Sequence, residues 1–188
     1  MSYLPAKILA GTCAGIPAGI PIWAILVGSL IAAAALLRKL VPELRVRVVN
    51  VTDPMILSGS GSHPHTLDED AFDAVFIKDA PIHFNYHGYP IELRGLLFGR
   101  KQSEHIMIEG YKEEGTTTTP FNMLLCNNVS RYDIAIAAVR GGATKNPKVQ
   151  VVADQLIAGL KHEHQKAAEY ARANRIDPPE TFVTPVFH

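Results

Sequence analysis

Two cysteines among 188 residues, Cys13 and Cys126, are too few for a disulfide framework, and they lack the C-x-x-C spacing of a zinc knuckle. Both read as buried thiols in a reducing compartment, so the expected localisation is cytoplasmic. There is no surplus of either charge. Lys+Arg and Asp+Glu stand at 18 each, which removes the electrostatic footprint of a nucleic-acid binder. Charge is also missing locally: no charged residue occurs from Ile8 to Leu37. A helix over Ile22 to Leu37 would rise about 24 Å, short of the roughly 30 Å hydrocarbon core of a bilayer. Extending it backwards meets Pro21 and Pro17. The stretch therefore fits a buried core helix better than a membrane span, although a membrane-tethered protein stays open as an alternative. No small-residue cleavage site follows a basic leader, which disfavours a signal peptide. The loop after the first apolar run has no G-x-G-x-x-G, weakening any dinucleotide reading.

What is present fits one globular domain over residues 1–188. The apolar share is 47% and the charged share 19%. Lys7 to Gly11 reads as a short buried strand, Ile22 to Leu40 as a helix ending in Arg38-Lys39, and Arg45 to Val51 as a second strand. Strand, helix and strand in this order form a βαβ unit, so the sheet is expected to be parallel with a right-handed crossover. Ser58 to Ser62 reads as an exposed loop. His63-Pro64-His65 has two histidines but no further ligand at a recognisable interval, so a loop-anchoring role outweighs a metal site. Thr66 to Phe72 looks like a helix start with acidic residues in its first turn, followed by apolar Phe72, Val75 and Phe76.

Pro81 to Tyr86 is a strand candidate that delivers the chain to His87-Gly88-Tyr89-Pro90. Ligands of open α/β sheets sit at strand C-terminal ends, which makes His87 the best-placed titratable group, against the plainer reading of a hydrogen-bonded turn residue. Ile91 to Phe98 reads as a short helix, Gly99-Arg100-Lys101-Gln102 as a charged turn, and His105 to Gly110 as another strand. Phe121 to Asn127 and Tyr132 to Val139 read as helices, the second capped by Ser130 and ended by Gly141-Gly142. Asn146-Pro147 opens a loop before a long amphipathic helix from about Val149 to Asn174, with Val152, Leu156, Leu160 and His164 along one stripe. The tail, 176–188, shows no regular pattern.

The densest chemistry lies between the last strand and the following helix, in Gly110-Tyr111-Lys112-Glu113-Glu114-Gly115-Thr116-Thr117-Thr118-Thr119-Pro120-Phe121-Asn122-Met123. Thr119-Pro120 is a helix-start signal, because a threonine hydroxyl can accept a backbone N–H and proline at the first helical position sacrifices no hydrogen bond. By itself the stretch is either a well-capped turn or a loop whose hydroxyls and amides could hold an anion.

The chain resembles the C-terminal domain of the thiamine-diphosphate-dependent phosphoketolases. The resemblance is carried by Arg45 to Val51, by His63-Pro64-His65 running to Phe72-Asp73, by His87-Gly88-Tyr89-Pro90, and above all by Gly110 to Met123. It covers about four-fifths of the chain, from Leu36 to the end of the long helix. It implies an α/β fold of three layers, a mostly parallel sheet flanked by helices as in the transketolase C-terminal domain, with 1–35 as a divergent apolar segment. It also implies a role in cleaving xylulose 5-phosphate or fructose 6-phosphate with phosphate to acetyl phosphate and an aldose phosphate. In that family thiamine diphosphate and Mg2+ are held mostly by two larger N-terminal domains. No catalytic, cofactor-binding or metal residue is therefore expected in this segment. The expected partners are those N-terminal domains or subunits, in a homo-oligomer. His87, Tyr89, Lys112, Glu113, Glu114, Thr116, Thr117, Thr118 and Thr119 are candidate ligand or interface residues. Two departures from the family stand out: Gly15 to Ala35 is more apolar than usual, and Asn122 replaces a customary aspartate. The alternative is a stand-alone module sensing phosphate or a nucleotide at His87, Lys112 and the threonine loop.

Overall fold

A charge-free run is best accommodated by surrounding it with other elements, and in the computed structural model Leu30, Ala32, Ala33, Ala34 and Leu37 of that run are buried. The structure describes residues 7–12, 22–59, 61–101, 103–112, 117–183 and 185, with side chains from residue 28 onward. The strands are β1 (Lys7–Thr12), β2 (Val46–Val51), β3 (Ile82–Tyr86) and β4 (Ile106–Glu109). The α-helices are α1 (Ile22–Leu40), α2 (Glu69–Phe76), α3 (Pro90–Leu97), α4 (Pro120–Cys126), α5 (Arg131–Ala143) and α6 (Pro147–Asn174). All strand pairings are parallel, in the order β2-β1-β3-β4. Chain order reverses around β1, placing a topological switch point between the C-terminal ends of β1 and β3.

The layers follow from strand alternation. Ile82 and Phe84 of β3 and Ile108 of β4 join Phe72 and Phe76 of α2 and Leu93 and Leu97 of α3 in one core. His83 pairs in register with Met107 and Asn85 with Glu109, so these four side chains share the opposite face. On that side Leu30, Ala33 and Leu37 of α1 pack with Ile134, Ala135 and Val139 of α5 and with Val149, Ala153 and Leu160 of α6. No described helix is long and apolar enough to cross a membrane. The inner turns of α1 are buried against protein.

Several local expectations need correction. Gly141-Gly142 does not end α5, which continues to Ala143; a Cβ on Gly142 would stand 2.5 Å from Leu44 Cδ1, so the glycine allows close packing. Asn146 is the N-cap of α6 rather than part of a loop, accepting from the Lys148 N–H at 3.0 Å while its Nδ2 donates to Glu43 O at 3.1 Å. On α6 the line of buried residues runs Val149, Ala153, Leu160, Ala167, Ala168 and Ala171, leaving Val152 exposed and Leu156 only partly buried. The cap of α2 is Asp68, whose Oδ1 accepts from the Ala71 N–H at 2.8 Å, so the helix starts later than Thr66. Cys126 is half-buried and Cys13 lies outside the described residues.

The largest departure is Arg100, expected in a charged turn and instead 2% exposed. Its guanidinium donates to the carbonyls of Leu57, Ile56 and Leu67 and to Glu69 Oε1 at 2.7 Å, and lies 4.4 Å from the centre of the Phe72 ring. A buried cation is tolerable when its donors are met in this way. Arg100 thereby fastens the segment leaving β2 beneath α2.

Candidate functional site

Two turns leave neighbouring strand ends and are locked together. Gly110, just past β4, lies against the turn after β3, where a Cβ would stand 2.4 Å from Gly88 O and 2.9 Å from Tyr86 O. Only glycine permits that approach, and it brings the Tyr111 N–H within 2.9 Å of Gly88 O. The Tyr111 hydroxyl then meets His87 Nε2 at 2.6 Å, with the two rings edge to face. Burial pushes the His87 pKa down and the Tyr111 pKa up, so near neutral pH the imidazole is uncharged and the phenol keeps its proton. The phenol therefore donates to Nε2. Tyr89 adds a third ring, 6.1 Å from Tyr111, and its side chain is 41% exposed.

Lys112 is held at both ends. Its backbone N–H donates to Asn127 Oδ1 at 2.9 Å, and its Nζ lies 3.3 Å from Glu109 Oε2. Asn127 also donates to Met123 O at 2.9 Å, tying the turn to α4. The structure thus brings His87, Tyr89 and Lys112 to one end of the sheet. Glu113, Glu114 and Thr116 lie outside the described residues.

The remaining threonines sit before α4. Thr119 takes the N-cap position with Pro120 following, but its side chain makes no capping bond. The cap arrives from the tail: Asp177 Oδ2 accepts from the Phe121 N–H at 3.0 Å, and Asp177 is only 7% exposed. The carboxylate supplies a full negative charge where a hydroxyl would offer a dipole, which suits a helix start better. Thr118 Oγ1 accepts from Asn122 Nδ2 at 2.7 Å. The tail accordingly folds back against α4 and carries a 3-10 turn over Pro179–Phe182.

Chemically the cluster offers a neutral imidazole, a phenol and an ion-paired lysine, each engaged with a neighbour. Its strongest partners, Tyr111, Asn127 and Asp177, are not among the sequence candidates. Tyr111 lay within the distinctive stretch and could have been singled out as an aromatic two residues beyond a strand; Asp177 had no local signal. His63 and His65 make a separate group: His65 Nδ1 meets Asp53 Oδ2 at 2.8 Å, and the His65 N–H donates to His63 Nδ1 at 3.2 Å. Among the described residues no three His, Cys, Asp or Glu side chains are placed to hold a metal ion.

A four-stranded parallel sheet between two helical layers, with a switch point at its strand ends, defines a three-layer α/β domain. Residues 24–185 match the profile of the XFP C-terminal domain. The chain belongs to the phosphoketolase family, as its C-terminal domain. It is 49% identical over 155 residues to a probable phosphoketolase of Schizosaccharomyces pombe, a match covering 82% of this chain and 18% of that protein. A probable phosphoketolase of Bradyrhizobium diazoefficiens is 42% identical over 154 residues, covering 80% of this chain and 18% of that protein. One from Rhodopseudomonas palustris (strain BisB5) is 49% identical over 110 residues, covering 58% and 14% respectively. The chain therefore spans less than a fifth of the length of these relatives.

Proposed function

We propose that this chain serves as the non-catalytic, interface-forming C-terminal domain of a phosphoketolase that cleaves xylulose 5-phosphate or fructose 6-phosphate with phosphate, giving acetyl phosphate and an aldose phosphate. Thiamine diphosphate supplies the electron sink of that reaction, and in this reading it and Mg2+ are held by N-terminal domains or subunits. The observation that carries the proposal is the match of residues 24–185 to the XFP C-terminal domain, together with an alignment that covers 18% of a probable phosphoketolase. The chemistry of the strand-end cluster agrees, because His87, Tyr111 and Lys112 are engaged with groups of this same domain.

The interface role draws on large apolar side chains left at the surface, among them Ile91, 70% exposed, Phe98, 86%, and Phe182, 75%. Such residues are at home where another protein surface covers them. Tyr89, Lys112, Glu113, Glu114 and Thr116 to Thr119 are the polar and aromatic groups assigned to the contact with the catalytic body, in a cytoplasmic homo-oligomer.

The test is direct. The purified chain, supplied with thiamine diphosphate, Mg2+, phosphate and xylulose 5-phosphate, is expected to form no acetyl phosphate, measured as the hydroxamate. Turnover that rises in proportion to the concentration of this chain would overturn the non-catalytic reading.

A further inference from the structure

The second helical layer does not cover the sheet evenly. Helix α5 packs against β1 and β3, while Met107 on the edge strand β4 remains 49% exposed. Between β4 and helices α5 and α6 this leaves a cleft of about 360 Å3, floored by His83 and Met107. That volume lies within the small-molecule range.

Its charged groups are unevenly partnered. Both carboxylates at the cleft are already matched: Glu109 faces Lys112 at 3.3 Å, and Asp133 faces His164 Nε2 at 3.5 Å while its Oδ2 accepts the Ser130 hydroxyl at 2.5 Å. The cleft also carries Arg140 from α5 and Lys161 from α6, and neither has an acidic partner among the described residues. Arg140 and Lys161, both exposed, are thus the cations of the lining that keep no carboxylate among the described residues, above a floor that contains an imidazole. A planar guanidinium fork and a point-charge ammonium lining one cleft suit a tetrahedral oxyanion of two negative charges.

We propose that the cleft between β4, α5 and α6 binds a small phosphate-type dianion through Arg140 and Lys161. This site is separate from the strand-end cluster and does not depend on the role assigned to the domain.

Inorganic phosphate, titrated into the labelled chain at constant ionic strength, is the probe. Saturable amide shifts are expected at Asn128, along 133–140 and along 161–164, with sulfate competing for the same site. Arg140→Gln combined with Lys161→Gln should weaken binding about tenfold or more, and Arg140→Lys should weaken it less than Arg140→Gln. Lys166→Gln, which removes a lysine 3.8 Å from Glu163 and outside the cleft, should leave binding unchanged. Non-saturating shifts spread over exposed lysines and arginines would overturn the proposal, as would a folded double variant that binds phosphate like the parent. Because the shift map is read on the unaltered chain, a double variant that fails to fold leaves that map as the deciding result.

Discussion

The two faces of the sheet solve the problem of burial in opposite ways. On one, Ile82, Phe84 and Ile108 meet phenylalanines and leucines, and a deeply buried charge, Arg100, is wrapped by carbonyls and Glu69. On the other, the same strands present His83, Asn85, Met107 and Glu109, and the helices bury apolar surface chiefly against one another. Both faces of β3 are buried, so the difference is one of chemistry rather than solvent access. An apolar face closes through shape, whereas a polar face must find a partner for each group or leave room for one. The cleft beside β4 is that room.

The largest effect should come from breaking the closed face at its buried guanidinium. Arg100→Met keeps the bulk and stacks on Phe72, but it strands the Leu57 and Leu67 carbonyls, leaves the Ile56 carbonyl with the Leu67 N–H alone and takes the cation from Glu69. A loss of about 3 to 5 kcal/mol is expected in urea unfolding. Arg47→Met offers the contrast: this exposed arginine donates to Ala74 O and Val75 O at 3.0 Å, groups near the end of α2 that water can reach. Its cost should stay below about 1 kcal/mol. If the two variants unfold alike, the closed face is not held by Arg100.

Arg100 also shows where reading the sequence stops. Helix α1, the strands and the parallel order were legible because each rests on periodicity, capping or chain order within a short window. Ser130 could be placed as a cap because its partner, Asp133, is three residues away. Nothing near Gly99-Arg100-Lys101 distinguishes a buried guanidinium from a solvated one, since its acceptors lie 31 to 44 residues earlier. Thr119-Pro120 gave a true helix start for an incomplete reason, because the acceptor that caps it, Asp177, lies 56 residues from Phe121. His87 could be placed at a strand end from its position alone. Its phenol partner required knowing that β3 and β4 are neighbours.

A middle-sized effect should come from the polar face. Asn85 is fully buried; its Nδ2 donates to Val129 O at 3.1 Å and its Oδ1 meets His83 Nε2 at 3.3 Å. Asn85→Leu is nearly isosteric and would add apolar surface, yet it removes the bonds that Asn85 makes to the buried Val129 carbonyl and to His83. Thermal unfolding should show a loss of about 1 to 3 kcal/mol. A gain instead would mean that this face tolerates closure like the other, and the contrast would fail.

The smallest effect separates the faces by the sign of a pH dependence. On the closed side Asp53, just after β2, has its pKa lowered, chiefly by the hydrogen bond from His65 and then by the Met55 N–H. Above its ordinary value of 3.8 the ionised carboxylate keeps this benefit, and the benefit is lost as pH falls through the lowered value. On the cleft side Asp133 has its pKa raised, because burial outweighs its hydrogen bond to Ser130 and the nearby His164. Here the protonated form is favoured by folding, so the contribution is present below 3.8 and is lost as pH rises through the higher folded value. Carboxyl carbon shifts followed by NMR should therefore place Asp53 below, and Asp133 above, the ordinary aspartate. His65→Asn should move Asp53 upward and leave Asp133 where it is, because the two carboxylates share no hydrogen-bond partner among the described residues. If both aspartates titrate on the same side of 3.8, burial on the cleft side is too slight to tax a charge, and the distinction between a closed face and an open one would rest on shape alone.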